Sequence, residues 1–427
     1  MCDRPPRLRV GQRQLAMRPL IARAEIRALL KPTTTTEHNV RNVLIDGIGV
    51  GIVTGVSVFL PIFLARLGAS SLLVGLITSL PALAGALFAL PIGRFLEQQR
   101  NIVVWYSGMR FWVLISYAVF GCLPFILPLN IVPWTIIILW ALVTIPSTFV
   151  NVAFTIVMGD VAGPQRRYAL MSMRWSSLGL ATAVTVATVG AVLELFPFPF
   201  NYQVVFIGSV VGGLLSFFFS RSITLLDRNP TPRQHGAESL RDALHQAPLP
   251  FVQYALSAFV FRSGIAMAIP LIPLYYVREA GLNDAWIGLI SMIGNSVLLI
   301  AYAVWSAGVP RLGNRGVLLA SSFGMALYPF GLAATDTPLI MAVLAGIANF
   351  CVAGNDLVNF DLVLSTIPAE RQATYTGVFQ TLQNLALFVM PLIATLLADH
   401  IGITATLLVA GLIRLLGVAL FAWLRIG

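Results

Sequence analysis

Pro61-Ile62-Phe63-Leu64-Ala65-Arg66-Leu67 runs into Gly68-Ala69-Ser70-Ser71 and then Val74-Gly75-Leu76-Ile77-Thr78-Ser79. Later in the chain, Pro273-Leu274-Tyr275-Tyr276-Val277-Arg278-Glu279-Ala280 runs into Gly281-Leu282-Asn283-Asp284 and then Ile287-Gly288-Leu289-Ile290-Ser291-Met292. Proline, arginine, glycine and the Gly-Leu-Ile-Thr/Ser run recur at an offset of 212 residues, 213 after one insertion. Further matches follow in the same order at Arg100/Arg315, Pro164/Pro368 and Arg167/Arg371. Such self-similarity marks a duplicated unit. Each copy joins two long apolar runs through a tight polar loop, so the chain reads as two related halves.

Hydrophobic residues make up 58% of the 427 residues and charged ones 10%, with a mean hydropathy of +0.86. A soluble domain carries about 25% charged residues. This chain is therefore read as solvated by lipid. A crossing needs about 20 mostly apolar residues, and runs of that length lie near 43–65, 71–92, 102–126, 132–158, 169–194 and 200–220 in the first half. Their counterparts lie near 251–277, 285–307, 316–334, 338–360, 373–398 and 403–425. The expected architecture is an all-α membrane protein, with twelve transmembrane helices in two pseudo-symmetric six-helix bundles. A basic tail (1–42), a first bundle (43–220), a linker (221–250) and a second bundle (251–427) divide the chain.

Orientation follows from the basic residues of the loops, because cytoplasmic loops are enriched in Lys and Arg. With the N-terminus inside, 21 of 23 loop basic residues fall on the cytoplasmic side, leaving only Arg66 and Arg278 outside. The net charge of +10 is thus a topology signal, and no nucleic-acid partner is expected. Both termini and the polar stretch 221–250, with one short helix, are placed in the cytoplasm of a cell whose cytoplasmic membrane holds the protein.

Residues 1–42 lack the continuous apolar core of a cleavable signal peptide. Pro19 and Pro32 bracket a segment whose Arg23, Arg27 and Lys31 share one helical face. A helix lying on anionic headgroups and a disordered basic tail both fit, and Met17 is a second candidate start. Cys2, Cys122 and Cys351 lack metal or redox spacing. Gly47, Gly51 and Gly55 in the first span, and Gly208 and Gly212 in the sixth, have the spacing that lets helix backbones approach in lipid.

Twelve spans in two related halves, a long central cytoplasmic linker and inside termini resemble the major facilitator superfamily of secondary transporters. The resemblance covers about residues 40–425. Gly93-Arg94-Phe95-Leu96-Glu97-Gln98-Gln99-Arg100 stands where that family has a Gly/Asp/Arg-rich loop, without its acidic residue before the central glycine. Asp160-Val161-Ala162-Gly163-Pro164-Gln165-Arg166-Arg167 is similar to the family's Asp…Pro…Arg turn, and Asp361…Pro368-Ala369-Glu370-Arg371 is its second-half partner. The resemblance implies that the first, fourth, seventh and tenth spans line a central cavity and that transport proceeds by alternating access.

On that frame the candidate cavity residues are Arg262, Asn151, Asn355, Asn349, Asn295, Gln380, Gln383 and Asn384. Arg262 lies about eleven residues into the seventh span, roughly 16 Å deep at about 1.5 Å per residue. A charge at that depth costs at least about 2.5–3.5 kcal/mol unless it meets water, a partner or a substrate. Asp46, Arg94, Arg110, Asp160, Arg167, Arg174, Asp361 and Arg371 lie near cytoplasmic helix ends and form a candidate charge network closing the inner mouth. Arg414, at the middle of the twelfth span, has no evident partner. The span carboxylates Asp46, Glu194, Asp356 and Asp361 are all placed toward a membrane face. Coupling to protons or to another ion therefore stays open.

No His-Glu-x-x-His, Gly-x-Ser-x-Gly or phosphate loop is present, which leaves no recognisable nucleophile, metal or cofactor site. The expected function is secondary active or facilitative transport of a small organic solute that is anionic or rich in hydrogen-bonding groups, by a monomer in the lipid bilayer. A multidrug or metabolite efflux pump of the same fold is the alternative. A membrane-embedded enzyme or channel is the rival from another class.

Overall fold

A computed structural model describes residues 32–225, 247–366 and 372–424. The basic tail before residue 32, the expected linker helix and Arg371 lie outside the described residues. In chain order the elements are α1 (Thr35–Ser57), α2 (Leu60–Arg66), α3 (Ser71–Glu97), α4 (Ile102–Ile126), α5 (Val132–Leu193), α6 (Phe200–Gly208) and α7 (Val210–Arg221). The second half continues with α8 (Leu249–Leu274), α9 (Asp284–Ala333), α10 (Pro338–Ser365), α11 (Gln372–Ile401) and α12 (Ile403–Trp423).

Among the described residues, eleven segments are long and apolar enough to cross a membrane. One of them, α9, runs 50 residues and turns back at Gly313 (φ 70°), so it supplies two passes. Only glycine adopts that left-handed backbone at little cost. Twelve passes result, and the protein is an integral multi-pass membrane protein.

Several boundaries differ from the sequence reading for local reasons. The first helix begins at Thr35 rather than near 43, because Thr34 and Glu37 form a capping box. The Thr34 hydroxyl accepts the Glu37 N–H (3.2 Å), while the Glu37 carboxylate accepts the N–H groups of Thr34 (3.2 Å) and Thr33 (2.8 Å). These bonds satisfy donors that a bare helix start leaves orphaned. The first span breaks at Val58-Phe59, just before Pro61, and the sixth breaks at Ser209. Helix α5 continues through 159–168, where a loop was expected. Helix α10 runs to Ser365, five residues past the predicted end.

Prolines inside the spans are repaired by distant side chains. Pro81 cannot donate to the carbonyl of Ile77, and the Trp140 indole N–H does so instead at 3.0 Å. Pro329 likewise frees the carbonyl of Met325, to which the Arg414 guanidinium donates at 2.8 Å. In lipid no water is at hand for such groups, so a protein donor must be. Arg414 is thereby given the partner that the sequence did not reveal.

The glycine stripe of the first span packs as expected, since a Cβ on Gly51 would lie 2.5 Å from the Leu178 carbonyl and one on Gly55 would lie 2.7 Å from Thr185. Gly212 meets Gly49 just as closely, whereas Gly208 faces open space and serves no close approach. The two halves meet through matched contacts. Gly75 on α3 packs against Thr395 and Pro391 of α11, and its repeat partner Gly288 on α9 packs against Gly190 of α5.

Candidate functional site

The opening repeat builds a reciprocal clamp between the halves. Arg66 donates to the Leu282 carbonyl (2.7 Å) and to Asp284 (3.0 Å). Arg278, its equivalent in the second copy, donates to the Ala69 carbonyl and to the Ser71 hydroxyl (3.0 Å). Ala69 and Leu282 are equivalent positions, as are Ser71 and Asp284, so each arginine grips the same two places on the other half. Ser71 passes the contact on to Asp399 at 2.7 Å, and Glu194 accepts the Ala285 N–H at 3.2 Å. The sequence reading matches the two arginines as repeat equivalents and as the exceptions to the charge rule, but does not bring them into contact with the opposite half. Their matched spacing was the signal that could have paired them.

A cavity of about 220 Å3 lies toward the other face among α8, α9, α10, α11 and α12, lined wholly by the second half rather than by spans of both halves as the family resemblance implied. Arg262, Asn355, Asp356, Gln380 and Gln383 line it beside Tyr254, Phe261, Phe379 and Phe421. Four of the eight sequence candidates are thus brought to one place. The Arg262 Nε and the Gln383 Nε2 are both buried without a hydrogen-bond partner among the described residues. Unmet buried donors are uncommon and costly in native structures. Asn355 donates to the Ser322 hydroxyl at 2.9 Å, and the Tyr254 hydroxyl donates to Asn359.

The remaining candidates go elsewhere. Asn295 and Asn349 donate to carbonyls of their own helices, Ser291 at 2.8 Å and Ala345 at 2.9 Å. Asn349 also fills the space left by Gly294, and Asn384 faces Gly85 across the two halves. Asn151 is exposed on α5, away from that cavity lining.

Three residues of the expected charge network converge, but inside the first half rather than across a mouth. The Arg110 Nη1 lies 2.7 Å from both oxygens of Asp46, and the Arg174 Nη2 lies 3.3 Å from one of them. Ser216 on α7 donates to the same carboxylate at 2.6 Å. Asp46 is fully buried, Arg174 is 2% exposed and Arg110 4%. Each guanidinium also covers an aromatic ring, Arg110 over Tyr106 at 4.3 Å and Arg174 over Phe154 at 4.5 Å. All of these partners belong to the first half, so the cluster ties α1, α4, α5 and α7 together. Asp160 stands exposed on α5. The side chains of Arg94, Arg167 and Asp361 lie outside the described residues, as does Arg371.

A family model described as Major Facilitator Superfamily matches residues 44–389 and 254–426. The chain belongs to the major facilitator superfamily. Among curated superfamily relatives, the staphyloferrin B transporter of Staphylococcus aureus is 24% identical over 178 residues, 40% of this chain and 41% of that protein. The multidrug resistance protein MdtG of Salmonella choleraesuis is 26% identical over 161 residues, 35% of this chain and 37% of that protein. The chain thus spans about two fifths of the length of the curated relatives it matches. Among solved structures, the nucleoside transporter NupG superposes with a TM-score of 0.69 at 10% identity, covering 92% of this chain and 100% of that one. The inward-open xylose transporter XylE from E. coli gives 0.65 at 14%, covering 91% and 94%. At such identities the likeness is one of fold.

Proposed function

We propose that the protein moves a small organic solute across the cytoplasmic membrane by alternating access, with both termini and residues 221–250 in the cytoplasm, and that Arg262 recognises an anionic or acceptor-rich part of the solute. The observation that carries this reading is the cavity in which the Arg262 and Gln383 donors converge unmet. A guanidinium cannot shed its proton to escape burial, so an acceptor supplied by the solute completes the site. The clamp supports the transport reading, because contacts that join the two halves at one end are what one state of an alternating cycle holds closed. The Asp46 cluster, being internal to one half, braces the first bundle as it moves rather than opening or closing. The likeness to the multidrug resistance protein MdtG keeps drug efflux as the second reading, and the coupling ion is open in both.

Alternating access is tested at the clamp. With the native cysteines removed, Thr395→Cys places a thiol that is fully buried where Gly75 packs, beneath the seal. Adding Arg66→Ala and Arg278→Ala is expected to raise its maleimide labelling rate about tenfold, since charge-assisted bonds contribute about 1.5–3 kcal/mol when buried and less when part-exposed, as Arg66 is. An unchanged rate refutes a clamp that holds one state closed. Topology is tested by labelling intact cells. Ser70→Cys is expected to react with an impermeant reagent and Ser239→Cys only after lysis, and external labelling of Ser239→Cys alone inverts the orientation.

A further inference from the structure

Arg262 is one of two opposite charges on the same cavity. Asp356, on α10, opens to that cavity and accepts a hydrogen bond from Tyr302 of α9 at 3.1 Å. Both side chains line the same space. Yet they do not pair: the three ion pairs among the described residues are Arg66–Asp284, Arg110–Asp46 and Arg174–Asp46. The Tyr302 bond holds the carboxylate on the α9 side of the space, while Arg262 stands on α8 with its Nε unmet. Two opposite charges free to collapse onto each other would satisfy both at once. Holding them apart across a cavity leaves one place for an acceptor and one for a donor.

We infer that the site takes a zwitterionic solute, its carboxylate or similar anion on Arg262 and Gln383, and its ammonium or other cationic donor on Asp356. This rests on the proposed role of Arg262 and adds Asp356 and Tyr302 to it. The aromatic side chains of Tyr254, Phe261, Phe379 and Phe421 give the body of such a solute an apolar wall. A plain anion would meet the repulsion of Asp356 and a plain cation that of Arg262. Placing a like charge against a bound group is strongly unfavourable, so specificity comes as much from rejection as from attraction.

The experiment is a thermal-shift titration of the full-length protein in nanodiscs. The probes are free amino acids and dipeptides, each with its deaminated, anion-only and its decarboxylated, cation-only counterpart. A ligand that binds only the folded state raises apparent stability. Wild type is expected to be stabilised by zwitterions at concentrations about tenfold or more below those needed for either counterpart. Asp356→Asn, nearly isosteric, is expected to reverse that preference toward the anion-only compound, and Asp356→Glu to restore it in part. Stabilisation by anions over zwitterions in wild type, or by none of the probes, overturns the inference. The failure of each reading is distinguishable. Loss of binding in Arg262→Met with an unaltered preference in Asp356→Asn leaves the anion reading standing and removes this one, whereas undiminished binding in Arg262→Met removes the anion reading itself.

Discussion

Asp46→Ala is expected to destabilise the protein by about 3–5 kcal/mol, the usual cost of removing one partner from a buried ion pair. The carboxylate is fully buried and is shared by two guanidinium groups and a hydroxyl. Without it, Arg110 and Arg174 remain in the bundle as two like charges with only aromatic faces to meet them. Neither can lose its proton, so the cost falls on folding. Asp46→Asn keeps the shape and loses the charge, and should fall between wild type and Asp46→Ala. The measurement is the apparent melting temperature of purified protein. A double-mutant cycle with Arg110→Met separates the pair from its surroundings: Asp46→Leu with Arg110→Met should lose less than the two single losses added together. A melting temperature for Asp46→Ala within a degree or two of wild type would show that the cluster contributes nothing to holding α1, α4, α5 and α7.

The sequence carries depth well and azimuth poorly. Twelve apolar runs and a repeat are visible because lipid demands long apolar segments, and a duplicated loop keeps its punctuation. Asp46, Arg110 and Arg174 do share one level, as their contacts show, but α1 begins at Thr35 and leaves Asp46 about three turns from its end. Whether they face a mouth or the inside of one half depends on the rotation of three helices, which no count along the chain supplies. For Asp356 the apolar segment Pro338–Asn359 ends where the sequence reading ends the tenth span, although α10 itself runs on to Ser365. Asn295 and Asn349 satisfy themselves on their own helices, an outcome open to any amide in a helix. Arg414 was legible in hindsight, because a proline four residues after Met325 announces an orphan carbonyl and a buried arginine elsewhere can answer it.

Arg262→Met is expected to weaken solute binding and transport by about two orders of magnitude with little change in folding. The residue is part-buried, its buried Nε has no partner, and no described ion pair depends on it. Removing it therefore strands no structural acceptor, in contrast to Asp46. What is lost is a charge-assisted, planar grip on the solute, and truncating one side of a buried hydrogen-bonded charge pair costs about 2–5 kcal/mol, where every 1.4 kcal/mol is about tenfold. Arg262→Lys keeps the charge but presents a compact ammonium in place of a fork, so it should lie between wild type and Met. The order Arg, Lys, Met is itself the diagnostic. A role confined to water-filled neutrality at the helix level would make Lys equal to Arg, and a role in packing alone would make Met equal to Arg. Binding by thermal shift and uptake into proteoliposomes are to be measured on the same preparations, with melting temperatures as the folding control. Normal transport by Arg262→Met removes Arg262 from recognition, and with it the reason for reading the cavity as a solute site.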